Sequence, residues 1–145
     1  MKKIIPKQLG ELLLDSRLIT SEQLTEALAL QKEWGGLLGQ ILVSLRYISE
    51  EAIAQALTAQ YGFPYLPLGG YEIDPEVAKI IPPHVALQYG LIAVDRVGSI
   101  LTIAMSNPLN LQAVEDVETI TRYKVQVFVT TATDIAKAIK EVYKT

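Results

Sequence analysis

The stretch KQLGELLLDSRLITSEQLTEALALQ, residues 7–31, decides the fold, because its skeleton returns as GLLGQILVSLRYISEEAIAQALTAQ at residues 36–60. Leu9-Gly10 reappears as Leu38-Gly39, Arg17 as Arg46, Ile19 as Ile48, Leu28 as Leu57 and Gln31 as Gln60, always 29 positions later. Each copy reads as a short helix, a turn and a longer helix. In the first copy Leu9, Leu12 and Leu13 fall at helical spacing on one face. Thr20, with Gln23 three residues on, has the signature of a capping box. The helix that follows carries Leu24, Ala27, Leu28 and Gln31 on one side. In the second copy Leu38, Ile41 and Leu42 repeat the short helix. Ser49 is the N-cap, and Glu50 and Glu51 sit in the positive first turn. Ile53, Ala56, Leu57 and Gln60 form the matching face. A solenoid needs about three repeats, so two copies predict a pseudo-symmetric four-helix unit, two helical hairpins over residues 1–68.

After this unit the pattern changes. Tyr65-Leu66-Pro67-Leu68-Gly69-Gly70 has the proline and glycine punctuation of a linker. Asp74-Pro75-Glu76 opens a helix, with aspartate as N-cap and proline in the first helical position. Pro82-Pro83 stops it and starts another short helical segment through Leu87. Leu91–Asp95 and Ile100–Met105 are β-branched, apolar runs around Arg96-Val97-Gly98-Ser99, which reads as a hairpin. Asn107-Pro108-Leu109-Asn110 is a turn into a helix over 111–121. Lys124–Thr130 alternates as a strand, and Thr133 is read as the cap of a last helix ending at Tyr143. The expectation is α+β: the four-helix unit, then a small three-stranded α/β subdomain over residues 69–145.

The bulk composition excludes several functions. Half of the 145 residues are apolar, so a real core is available, and the net charge is −3 with both signs dispersed. Duplex nucleic acid has no basic footprint to bind. Cysteine is absent and His84 is the single histidine, which rules out disulfides and argues against structural zinc. Pro6, Lys7, Glu11, Asp15 and Arg17 interrupt the apolar start as a signal sequence would not. No apolar run has the length of a membrane span, which is about 20 residues. The expected compartment is the cytoplasm, without membrane insertion.

Catalytic signatures are missing too. There is no phosphate loop of the GxxxxGK[ST] type and no nucleophile elbow. His84 reads as a surface or helix-start histidine, and Glu115, Asp116 and Glu118 as a solvated helix face. The chain is therefore expected to be no enzyme, with no cofactor and no metal, but a binding module. The duplicated glutamine is its odd feature, because an unpaired buried amide costs about 1–3 kcal/mol. Either Gln31 and Gln60 serve a shared recognition task or they bond backbone carbonyls near their helix ends. A glycine after each leading leucine allows a backbone or a ligand to come close.

The doubled pattern LGxxLLxxxxIxxxxLxxALxxQ resembles the N-terminal domain of the ATPases that power type II secretion and type IV pilus assembly, within them the MshEN type. Tyr71-Glu72-Ile73-Asp74-Pro75-Glu76, Ile80-Ile81-Pro82 and Ala104-Met105-Ser106-Asn107-Pro108-Leu109-Asn110 fit the same family. The resemblance implies a regulatory module that binds cyclic di-GMP across the duplicated motif, and a motor domain, in cis or in trans, as partner. The alternative it implies is a protein-interaction module that docks on an inner-membrane assembly component without a nucleotide. Carried over position by position, Leu9, Gly10, Leu24, Leu28 and Gln31 would form one half-site, and Leu38, Gly39, Ile53, Leu57 and Gln60 the other. Asn107 and Asn110 would close over the ligand. The chain departs from the family where arginine precedes the first Leu-Gly: Gln8 stands there, and Leu37 in the second copy. It departs again where the turn after the short helix prefers glycine. Arg17 and Arg46 occupy those turns: either they replace the missing arginine from another direction, or the turn has a non-glycine conformation and the arginines are simply solvated. Trp34 in the spacer would stack a base or pack on its hairpin.

Overall fold

The computed structural model describes residues 8–143; Lys7 and the interrupted apolar start before it lie outside them. Four helices come first: α1 (Leu9–Asp15), α2 (Ser21–Trp34), α3 (Leu38–Ser44) and α4 (Glu50–Tyr61). The capping box forms, with Gln23 N–H donating to Thr20 Oγ1 (3.1 Å) and Thr20 N–H to Gln23 Oε1 (2.9 Å). Ser49 accepts from Ala52 N–H at 3.1 Å and starts α4 in the same way.

The ends of the two short helices explain the paired arginines. Arg17 N–H bonds Leu14 O and Leu18 N–H bonds Leu13 O; Arg46 and Tyr47 repeat this with Val43 and Leu42. This is the Schellman pairing, whose first residue beyond the cap is left-handed and usually glycine. Arg17 has φ 59° and Arg46 φ 66°. The turn has kept its left-handed conformation with a side chain that costs about 1 kcal/mol there.

The second half begins with a 3-10 turn at Leu68–Gly70, followed by α5 (Pro75–Ala78) and α6 (Pro83–Tyr89). Then come β1 (Leu91–Val97), β2 (Ile100–Met105), α7 (Leu111–Thr121), β3 (Lys124–Val129) and α8 (Ala132–Val142). The sheet order is β1-β2-β3. β1 and β2 are antiparallel, with one register slip between Ala93 and Asp95. The strands run closer together than the sequence suggests, leaving Gly98-Ser99 as the turn, with Gly98 at φ 59°. β3 is parallel to β2, as it must be when a helix, α7, carries the chain back across the sheet. The stretch read as a linker is partly built into this sheet. Leu66 N–H donates to Val129 O and Val129 N–H to Pro64 O, both at 2.9 Å.

Two apolar clusters hold the molecule together. One lies behind the sheet and joins Ile81, Val85, Leu91, Ile103, Val117, Ile135 and their neighbours, with Leu68 among them. The other gathers Leu9, Leu12, Leu13, Leu42, Ile53 and Leu57 from the helices, together with Leu109 and Val129 from beyond residue 69. Tyr143 fastens the end of α8, its hydroxyl lying 2.8 Å from Ala78 O and 2.9 Å from Ile81 O. Removal from water pushes this phenol up to about 12.

The start of α8 differs from the sequence reading. Thr131 is its N-cap, accepting from Asp134 N–H at 3.2 Å. Thr133 stands two residues further on, in the first turn of the helix, and is bonded to Glu50. Both threonines are chemically competent caps, and the long-range contact sets which one is used.

Candidate ligand-binding cleft

The Leu-Gly steps of the two copies pack against each other. A Cβ built on Gly10 would lie 2.8 Å from Leu24 Cδ1 and 3.2 Å from Leu38 Cδ2. One built on Gly39 would lie 3.4 Å from Leu9 Cδ2 and 3.6 Å from Ile53 Cδ1. Each glycine thus receives the leucine that precedes the other. Their first use is to let helix starts approach closely, and the result is a seam between α1 and α3 that opens into a cleft.

The cleft has a volume of about 540 Å³, within the roughly 300–1,000 Å³ usual for small-molecule sites. Its walls are Gln8, Leu9, Gly10, Leu24, Leu28 and Gln31 from the first copy, and Leu37, Leu38, Gly39, Val43, Glu50 and Ile53 from the second. The far side is supplied by Ser106, Asn107, Leu109, Asn110, Leu111, Thr130, Thr131 and Ala132. Leu28 is 46% exposed and Leu111 41% exposed. These two offer apolar surface that a ligand would still cover, worth about 1 kcal/mol each at roughly 25 cal/mol per Å².

The structure thus brings together Gln8, Leu9, Gly10, Leu24, Leu28, Gln31, Leu38, Gly39, Ile53, Asn107 and Asn110. Four other residues singled out in the sequence stand elsewhere. Leu57 is wholly buried in the helical cluster. Gln60 is exposed and is no part of the cleft wall. Arg17 and Arg46 are exposed at their turns, away from the cleft. The half-sites are therefore unequal, because α4 packs its leucine under β3 while α2 has no such cover. Trp34, 71% exposed, neither lines the cleft nor packs down on its hairpin.

The polar groups are held in particular ways. Gln31 Nε2 donates to the carbonyl of Gly36 at 3.0 Å, so the amide pins the spacer between the copies. That is the backbone-bonding role weighed for it in the sequence, and it leaves Oε1 for other donors. Asn107 Oδ1 accepts from Leu109 N–H (3.2 Å) and Asn110 Oδ1 from Ala113 N–H (3.1 Å). With both carbonyls committed, each side chain retains its NH₂ as a donor. In the sequence the wall residues Ser106 and Thr130 have no assigned part in a site, and Thr131 is not singled out. A Thr-Thr pair between a strand and a helix reads only as a cap.

The electrostatics come from the backbone. Among the described residues the cleft wall contains no lysine or arginine, and its charged groups are Glu11 and Glu50. Five helices, α1, α3, α4, α7 and α8, begin at it. α1 and α3 have no side-chain cap. Each helix start carries about half a positive charge in unpaired N–H groups. Convergent helix starts make a field for an anion without any cationic side chain.

The fold and its family are shared with known proteins. The family model of the MshEN domain matches residues 61–145, more than half of the chain. The chain belongs to the MshEN family. The match falls on the second half, whereas the sequence resemblance was carried chiefly by the tandem motif in the first. Full-length likeness comes from individual relatives. The type IV pilus assembly ATPase PilB of Myxococcus xanthus is 34% identical over 136 residues, 94% of this chain. PilB of Thermus thermophilus is 34% identical over 139 residues. The chain spans only 24% and 16% of those two proteins' lengths. Among solved structures, MshE with cdg is 28% identical and has a TM-score of 0.69, with 95% of this chain and all of that one covered. The N-terminal domain of XpsE has a TM-score of 0.73 at 19% identity, covering 97% of this chain and 96% of that one, a likeness of fold. This MshEN chain is thus related to the N-terminal domains of pilus and secretion ATPases. Among its described residues no helix is long and apolar enough to cross a membrane.

Proposed function

We propose that this MshEN domain is a cytoplasmic regulatory module of a pilus or secretion ATPase, and that it binds cyclic di-GMP in the cleft between its duplicated hairpins and its sheet. The observation that carries the reading is the convergence of five helix starts on one apolar-walled cleft. A dinucleotide needs apolar surface for its bases and N–H groups for its phosphates. Leu24, Leu28 and Leu111 provide the first. The helix starts and the amides of Asn107 and Asn110 provide the second. The related MshE, solved with cdg, supports the choice of ligand. With unequal half-sites the two guanines meet different surroundings, one near Gln31 and the other near the 106–111 turn. The motor that would read the bound state lies outside this chain.

Titration calorimetry with cyclic di-GMP tests the reading. Binding should be accompanied by a rise in melting temperature, because a ligand of the native state stabilises it by mass action. Absence of both heat and thermal shift at about 100 µM ligand overturns it.

The lack of a basic wall residue among the described residues favours a second reading, in which the exposed Leu28 and Leu111 receive an apolar segment of an inner-membrane assembly component. Leu28→Asp and Leu111→Asp weaken binding in either reading, so calorimetry with the nucleotide on the wild-type chain distinguishes the two. In the second reading these substitutions would abolish partner binding in a chain that never binds the nucleotide.

A further inference from the structure

Glu50 occupies a position in the cleft that its place in α4 does not require. Its Oε1 accepts from both the backbone N–H and the hydroxyl of Thr133, each at 2.8 Å, across 83 positions of sequence. Thr133 lies in the first turn of α8, where Thr131 Oγ1 already takes the N–H of Asp134. One carboxylate therefore sits against the start of α8 and at the start of its own helix, α4. A helix-start N–H beside a hydroxyl is a donor set that suits a phosphate oxygen, and a carboxylate oxygen satisfies it with the same sign of charge.

Thr130 gives a second, separate sign that a ligand belongs here. It is only 2% exposed and lines the same cleft, yet its hydroxyl oxygen has no hydrogen-bond partner. Buried hydroxyls are normally paired, so an unused one in the wall that Glu50 also lines marks a place for another polar group. Among the described residues no basic residue of the wall holds Glu50 in place.

We infer that Glu50 is an internal competitor for the phosphate of the ligand, an inference that rests on the cyclic di-GMP reading above. In the empty domain its carboxylate ties the start of α4 to the start of α8. When the nucleotide enters, a phosphate oxygen takes the Thr133 N–H and hydroxyl, Thr130 bonds the same group, and Glu50 turns out to water. Exchanging one anion for the other releases a bond between the helical half and the sheet half. Ligand occupancy is thereby coupled to the relative placement of the halves, a change that an attached domain can sense.

The test is calorimetry with cyclic di-GMP on the 145-residue chain, its Glu50→Gln variant and the Glu50→Gln/Thr133→Val double variant. Glu50→Gln should bind about tenfold tighter or better, and the double variant should lose that gain. If wild type binds and Glu50→Gln binds no tighter, the competitor role is overturned and the reading of the cleft survives. If no variant binds, both fall. Binding by Glu50→Gln alone supports the competitor in its strongest form. Thermal melts check the fold. Should the glutamine variant not fold, Glu50→Asp carries the test: it keeps an acidic start for α4, draws the carboxylate back by one methylene, and should also tighten binding.

Discussion

A Cβ on Gly10 would stand 2.8 Å from Leu24 Cδ1, whereas one on Gly39 would meet nothing closer than 3.4 Å. The duplicated glycines are thus equal in sequence and unequal in tolerance. Gly10→Ala gains about 1 kcal/mol of helix propensity and loses about 1–3 kcal/mol to overpacking. The atom it strikes ends a cleft-lining side chain, so the cleft changes shape more than the core does. We expect a small change in urea midpoint and at least about a tenfold loss of cyclic di-GMP affinity. Gly39→Ala should leave affinity within about threefold of wild type.

Thr130→Val keeps shape and removes the unpartnered hydroxyl. The ligand-free chain should gain about 1–2 kcal/mol, because a buried oxygen no longer goes unpaired. Ligand binding should weaken about tenfold. Denaturation and calorimetry on the same preparation would read both. Stabilisation with undiminished affinity would show that the hydroxyl has no part in binding.

Gln31 and Gln60 should behave differently despite their common origin. Gln31→Ala frees the Gly36 carbonyl and removes an amide from the cleft, so affinity should drop by about 1–2 kcal/mol. Gln60→Ala should leave it unchanged, since Gln60 is exposed outside the wall. Equal effects in calorimetry would argue for a symmetric site.

Arg17→Gly and Arg46→Gly each relieve a left-handed side chain at φ 59° and 66°. Glycine also gains freedom in the unfolded chain, so the net stabilisation should be modest, up to about 1 kcal/mol for each. Affinity for the nucleotide should not move. A loss of binding would return these arginines to the ligand.

Tyr143 makes a prediction for alkaline pH. Its pKa is pushed from 10.0 up to about 12 by burial. The folded chain therefore holds this proton longer than the unfolded chain does. The stability it contributes is complete below about pH 10 and is lost as pH rises through about 12. Tyr143→Phe should destabilise the chain at neutral pH by about 1–2 kcal/mol and flatten the fall of stability between those limits. Denaturation as a function of pH gives both.

The helices α2 and α4 were legible because their start signals are local: Thr20 with Gln23, and Ser49 followed by glutamates. The hairpin and the third strand were legible from β-branched runs, and the α+β layout followed. What local pattern could not give was the facing of Leu57 and Gln60. That depends on β3, whose Val129 joins the cluster that holds Leu57. The same holds for Thr131, Thr133 and Glu50: a cap is chosen locally between two threonines, but a carboxylate 83 positions away settles it. Nor does periodicity reveal that Leu-Gly steps from different copies interlock. The repeat showed that they match, and only the packing showed that they touch.

Among the described residues the positive field of the cleft is drawn from peptide groups at helix starts, and this limits how binding there could be silenced. The wall presents no lysine or arginine among the described residues, so acylation has no charge to neutralise there and a rise in pH no basic side chain to deprotonate. Binding of an anion at such a cleft would answer to its own Glu50 carboxylate and to the supply of ligand, rather than to modification of a basic wall.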